Sequence, residues 1–230
     1  MGRYYKLNGK KLPSVTTITG QLDKPALMPW AANCAVDYIL ENIENNIYVG
    51  NEGPPQPELI NVATLYPIIE SARKNFRKVS AQALDIGSAT HQAIEHYLLT
   101  GKEPQAPSDQ VLSAFLAFLE WLDTWDSYET IETEHTVYAD DYAGTCDWIV
   151  LLNGKKYVVD FKSSKGIYKP EYNMQVAAYR ACIPDCEGNG VLRLDKESGL
   201  PEWKDFSDSY EKDLKSFRHL VDYFHSRKEE

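Results

Sequence analysis

Asn153-Gly154 constrains this chain more than any other pair of residues. It separates two short runs, Thr145 to Leu152 and Tyr157 to Lys162, that are rich in Val, Ile, Tyr and Trp. Asn-Gly between such runs is the strongest short-range signal for a two-residue β-hairpin loop, because a type I′ turn needs positive φ at both central residues. With that loop Leu152 faces Lys155, and the register carries Asp147 to a place opposite Asp160. Facing Cβ atoms lie about 5 Å apart, and like charges there repel. A divalent cation is the simplest reason for two carboxylates to face each other. Lys162, two residues past Asp160, points to the same side. Cys146, Trp148, Val159 and Phe161 are expected on the other side, in the core. A three-residue loop with a bulge would shift the register by one and undo the pairing. A cation site with a basic group beside it is the chemistry needed to cut a phosphodiester.

Two helices bring further polar groups toward this hairpin. From 82 to 100, Leu84, Gly87, His91, Ile94 and Leu98 recur at 3-4-3-4 spacing, so His91 is expected to point inward. On spacing alone His91 fits both a hydrogen-bonded core histidine and a neutral imidazole ligand for Mn²⁺ or Mg²⁺. After the hairpin, Gln175 and Tyr179 stand four apart and share one helix face. Glu134, on the strand before the hairpin, is expected beside Glu132 and Thr136. It fits either an additional metal carboxylate or an exposed edge-strand residue.

Gly87-x3-His91, Gly144-x2-Asp147, Asp160-x-Lys162 and Gln175-x3-Tyr179, in that order, resemble the PD-(D/E)XK nucleases of the RecB-like branch. That branch holds RecB-type helicase-nuclease domains, CRISPR-adaptation nucleases, the mitochondrial genome maintenance exonuclease and many phage exonucleases. Ser14-Val15-Thr16-Thr17-Ile18 with Trp30 also looks like the N-terminal segment of phage members. One departure is that Cys146 precedes the first acid where the family's name has Pro. The resemblance covers nearly the whole chain, most specifically residues 83–183. It implies one or two Mg²⁺ or Mn²⁺ ions held by His91, Asp147, Asp160 and the carbonyl of Phe161, with Lys162 as the catalytic base or charge-stabilising group. It implies that Gln175 and Tyr179 border the site. It also implies a 5′-phosphate product, and an N-terminal region that admits a free single-stranded DNA end. Replication, recombination or repair proteins, in phage or cell, are the partners it implies. The alternatives are a structure-specific or duplex endonuclease, and a nucleic-acid-binding module without catalysis.

The net charge of −10 argues against broad, nonspecific coating of nucleic acid, but local charge matters more. Arg73, Lys74, Arg77 and Lys78 form a compact basic cluster and, with Lys165 after the hairpin, are candidate substrate contacts through phosphates. Four cysteines stand at 34, 146, 182 and 186, without the dense spacing of iron–sulfur motifs. The spacing speaks against a cluster and for reduced, mostly buried thiols. No apolar run reaches the ~18 residues of a membrane helix and no apolar signal core opens the chain, so a cytoplasmic protein of a cell or infected host is expected.

A chain of 230 residues suits a single nuclease domain. Residues 1–80 read as a hairpin around Asn8-Gly9 and a helical substrate-binding part, and residues 81–230 as the catalytic core. Helices are expected over about 30–47, 57–79, 82–100, 108–125, 170–183 and 208–227, with a Gly/Pro-rich loop at 50–57. Strands are expected over about 130–138, 144–152, 156–162, 189–194 and 202–206. The fold class is α/β (α+β): a restriction-endonuclease-like core, with a central mixed sheet flanked by helices and a helical N-terminal half.

Overall fold

A computed structural model describes residues 2–47 and 62–227. The expected loop at 50–57 and the start of the helix expected at 57 lie outside the described residues. The chain divides into two compact units, Met1–Leu22 with Ile86–Glu230, and Asp23–Asp85. The N-terminal hairpin thus shares a unit with the sheet rather than with the helices that follow it.

The larger unit opens with strands β1 (Tyr4–Leu7) and β2 (Lys10–Pro13), joined at Asn8-Gly9, both with positive φ. Helix α1 (Val15–Thr19) follows, and Ser14 caps it by accepting the Thr17 N–H at 2.9 Å. In the smaller unit, α2 (Leu27–Ile47) meets the first part of α3 (Val62–Thr100). There Asn75 Nδ2 donates to the Cys34 carbonyl at 2.9 Å. Helix α3 is one continuous element across the expected break at 80–81. Ser80 and Ala81 lack the Pro or Gly that would stop a helix.

Helix α4 (Asp109–Leu122) is capped by Ser108, which accepts the Val111 N–H at 3.3 Å. Then come β3 (Tyr128–Tyr138), β4 (Ala143–Leu152), β5 (Lys155–Lys162), α5 (Glu171–Arg180), β6 (Gly188–Leu194), β7 (Pro201–Asp205) and α6 (Tyr210–Ser226). The five strands make one sheet in the order β3-β4-β5-β6-β7. All neighbours are antiparallel except β5 and β6, and α5 is the crossover that a parallel pair requires. The architecture is a mixed α+β fold with a mixed sheet flanked by helices.

Helices cover both faces of the sheet, as its apolar runs demand. One face packs α4 and the end of α3 against Trp148, Val150, Val159, Phe161 and Leu192. The other packs α1, α5 and α6 against Cys146, Ile149 and Val158. Cys146 and Trp148, two apart on β4, therefore face opposite sides. Strict alternation would put them together, and it fails at the residue between them, Asp147. The expected contact of Cys146 with Phe161 is replaced by one with α1 and α5. Leu84, expected inward on α3, is exposed instead.

Candidate metal centre

At its turn the hairpin follows the register expected from sequence. Asn153 and Gly154 have φ of 48° and 79°, and Leu152 pairs with Lys155. The pairs run back to Trp148 with Val159 and stop there. Beyond that point β4 stays with β3 as far as Ala143, and β5 stays with β6 as far as Lys162. The two strands part, and the next residue on each side of the fork is an aspartate, Asp147 on β4 and Asp160 on β5.

The fork leaves backbone groups on β5 without ladder partners, and side chains take them over. Asp147 Oδ2 accepts the Phe161 N–H at 2.7 Å. His91 Nε2 lies 3.1 Å from the Phe161 carbonyl, and its Nδ1 lies 3.5 Å from Asp147 Oδ1. Asp160 is buried: its Oδ1 accepts from Gln175 Nε2 at 2.9 Å, and the Lys162 ammonium sits against its Oδ2. Gln175 Nε2 also donates to the Tyr179 hydroxyl at 3.0 Å. Seven residues singled out in the sequence, His91, Asp147, Asp160, Phe161, Lys162, Gln175 and Tyr179, thus meet at one place. The two aspartates are not a cross-strand pair, however, since the ladder ends before them.

The motif glycines make room. A Cβ on Gly144 would lie 2.5 Å from Tyr179 Cε1, so only glycine lets that ring lie over β4. A Cβ on Gly87 would lie 3.1 Å from Ser163 Oγ.

Glu134 joins the group through its backbone. The ladder between β3 and β4 passes from Thr133–Trp148 to His135–Cys146 and omits the pair 134/147. Glu134 has φ of 47°, a left-handed conformation rare for a residue with a side chain. Strain of this kind clusters at functional sites. One ligand atom each from Glu134, His91 and Asp147 fall within 4.8 Å of one another. Simple alternation placed Glu134 with Glu132 and Thr136, and no sequence signal marks the left-handed residue. Tyr172 is a second addition. The Lys162 Nζ lies 4.9 Å from the centre of its ring. Its place three residues before Gln175, on the same helical face, could have marked it.

The charges divide into two balanced pairs. Burial disfavours an imidazolium at His91, but the Asp147 carboxylate outweighs it and raises the pKa to about 9. Burial works to raise Asp147, but the charge and hydrogen bond of His91, with Lys162 and the Phe161 N–H, together hold it below its usual range. Burial pushes Asp160 up to about 6, against Lys162 and with the help of Asp147. Burial would lower the Lys162 pKa, yet Asp160 and Asp147 raise it. Glu134 is raised by burial and by the like charge of Asp147. The His91 nitrogen and the Glu134 and Asp147 carboxylates are a donor set of the kind that holds a divalent cation.

Arg73, Lys74, Arg77 and Lys78 belong to the Asp23–Asp85 unit, all four exposed on α3. Arg73 pairs with Glu70 at 2.8 Å. Lys165 is exposed in the loop that follows β5. All four cysteines are free. No helix among the described residues is long and apolar enough to cross a membrane.

No family model and no curated protein matches this chain. Among solved structures it is similar to SSO0001 at 16% identity and TM-score 0.29, over 59% of this chain and 74% of that one. It is also similar to a phage-related exonuclease from Haemophilus somnus 129PT at 11% identity and TM-score 0.30, over 74% of this chain and 91% of that one.

Proposed function

We propose that this protein is a metal-dependent deoxyribonuclease that hydrolyses phosphodiester bonds, working as an exonuclease from single-stranded DNA ends. One observation carries the reading: the fork between β4 and β5 joins His91, Asp147 and the Phe161 backbone to one another and sets a buried Asp160 against the half-buried Lys162. Those four groups, with Glu134, would hold one or two Mg²⁺ or Mn²⁺ ions. A bound ion would make a water acidic enough to attack and would offset charge on the scissile phosphate.

The protein's own groups do the rest. His91 and Asp147 fix each other and the Phe161 backbone. Asp160 and Tyr172 hold the Lys162 ammonium in place, where it orients the attacking water and offsets charge on the phosphate. Gln175 clamps Asp160 and Tyr179 together, so the second carboxylate keeps one orientation. The exposed cations Arg73, Lys74, Arg77, Lys78 and Lys165 contact DNA phosphates, which makes binding weaken steeply with salt. Cations in the same compact unit as Trp30 suit a single strand better than a duplex groove.

The test is cleavage of end-labelled linear and closed circular single strands in Mg²⁺, in Mn²⁺ and in EDTA. The proposal expects metal-dependent shortening of linear strands alone. Efficient cutting of circles would replace the exonuclease with an endonuclease, and no cleavage in either metal would remove the enzyme reading.

A further inference from the structure

The loop after β5 places an exposed aromatic one ring away from Lys162. Ile167 packs with Val176, Val191 and Phe206 and anchors this loop. Ser164 Oγ donates to the Gly166 carbonyl at 2.9 Å, the Tyr172 hydroxyl donates to Ser164 Oγ at 3.2 Å, and the Tyr172 N–H donates to the Tyr168 carbonyl at 3.0 Å. On this braced backbone Tyr168 turns outward and is 48% exposed. Its ring meets that of Tyr172 edge to face, with centroids 5.8 Å apart. Tyr172 in turn carries the Lys162 ammonium over its ring. A row therefore runs from the lysine at the fork through one ring to a second, open ring. Exposed Lys165 and Lys169 flank it in sequence.

A lone exposed tyrosine needs no explanation. This one has a fixed backbone, a ring partner that sets its orientation, and a link to the site through Tyr172. A flat, open π-face is what an unpaired base stacks on, whatever its identity, whereas a base inside a duplex offers no free face. We propose that Tyr168 is the stacking platform for a base flanking the phosphate held at the fork, and that it contributes to selection of single strands. The proposal rests on the nuclease reading for the identity of that phosphate. It adds a subsite, on the side of the site reached through α5, that reads no sequence and accepts any base.

The experiment combines protein and substrate truncation. Binding of a fluorescein-labelled single-stranded oligonucleotide is measured in EDTA by anisotropy, for wild type, Tyr168→Phe and Tyr168→Ala. The measurement is repeated with an abasic site moved one position at a time. Loss of one stacked base should weaken binding by about 5- to 150-fold. Tyr168→Ala should show that loss, Tyr168→Phe should not, and one abasic position should weaken wild type while leaving Tyr168→Ala unchanged. In Mg²⁺ the same substitution should raise KM and leave kcat alone. Equal binding by Tyr168→Ala and wild type would overturn the proposal, as would a loss shared by Tyr168→Phe, or an abasic scan with no Tyr168-dependent position. The two readings fail separately. Cleavage that is indifferent to Tyr168 removes the platform and leaves the nuclease. A Tyr168-dependent abasic position with no cleavage in any metal leaves the platform and removes the nuclease.

Discussion

The two ends of the β4–β5 hairpin are built from the same kind of strand and come to opposite outcomes. At the turn, positive φ falls on Asn153 and Gly154, and every pair from Leu152–Lys155 to Trp148–Val159 is made. At the fork, positive φ falls on Glu134, side-chain alternation breaks at Asp147, and that residue has no ladder partner on either neighbouring strand. The closed end satisfies its backbone with its own ladder and with Ser127, whose carbonyl accepts the Asn153 N–H at 2.9 Å. The open end frees the N–H and carbonyl of Phe161 and satisfies them with ionisable side chains. The regular end gives the rigidity from which the irregular end can hold charged groups in place.

The largest expected effect breaks the open end. Asp147→Ala, Asp160→Ala and Lys162→Ala should each lower cleavage by at least about a thousandfold, in the range of losing one charge-stabilising group or more. Circular dichroism should show the sheet intact. The metal-free melting temperatures should differ between the two acids. Asp160→Ala leaves the half-buried Lys162 ammonium without its partner and should be strongly destabilising. Asp147→Ala leaves His91 free to lose its proton, and should cost less. Near wild-type activity in any of the three would remove that residue from the chemistry.

His91 tests how tightly the fork is tied to an ion. Its pKa is raised from 6.5 to about 9 without metal, and an ion needs the neutral ring. Binding must therefore release a proton, and apparent Mn²⁺ affinity should climb about tenfold per pH unit up to about pH 9 from this group alone. The same shift gives the metal-free fold a stability that is fully present below pH 6.5 and lost as pH rises through about 9. His91→Ala should flatten the affinity slope. It should also weaken Mn²⁺ by more than the roughly 10- to 100-fold that an outer partner costs, with activity partly restored at high Mn²⁺. Calorimetry in two buffers of different ionisation enthalpy counts the proton. A His91 with only a packing role would lower the melting temperature and leave the proton count unchanged.

At the closed end the expected effect is on stability alone. Gly154 has φ of 79°, so Gly154→Ala forces a Cβ into a left-handed turn and should cost about 1 to 2 kcal/mol. Thermal melts should show that loss, while kcat and metal affinity hold. A parallel fall in metal affinity would mean that the register at Asp147 depends on the turn more than the β3 and β6 pairings allow.

This asymmetry also explains what the sequence disclosed. Asn153-Gly154 specifies its turn locally, so the register out to Trp148 could be read from residue types and counting. The spacings Asp160-x-Lys162 and Gln175-x3-Tyr179 are local as well, and their residues meet in the structure. The fork is not local. It exists because β4 follows β3 while β5 follows β6, and neither allegiance is written between residues 145 and 162. That is why the aspartates were expected as a cross-strand pair, and why Cys146 was expected beside Phe161. The same cause hid Glu134, whose left-handed backbone carries no glycine or asparagine to announce it.

Glu134 offers the smallest effect and the sharpest comparison, because it shares positive φ with Gly154 but keeps a side chain. At Gly154 glycine is already in place, and adding a Cβ should hurt. At Glu134, Glu134→Gly removes a Cβ from the left-handed region and a carboxylate that Asp147 repels more than His91 attracts. Both changes favour the metal-free fold. The extra freedom of glycine in the unfolded chain offsets part of the gain, leaving a few tenths to about 1 kcal/mol of stabilisation. Glu134→Gln keeps the strained backbone and loses only the charge, so it should gain less. Both should bind Mn²⁺ more weakly, since each deletes one of the three ligand groups clustered with His91. A raised metal-free melting point together with lowered metal affinity would mean that the fork holds this residue strained for what it binds. If Glu134→Gly instead destabilises the fold and leaves metal affinity unchanged, the left-handed residue serves the path of β3 and not the ion.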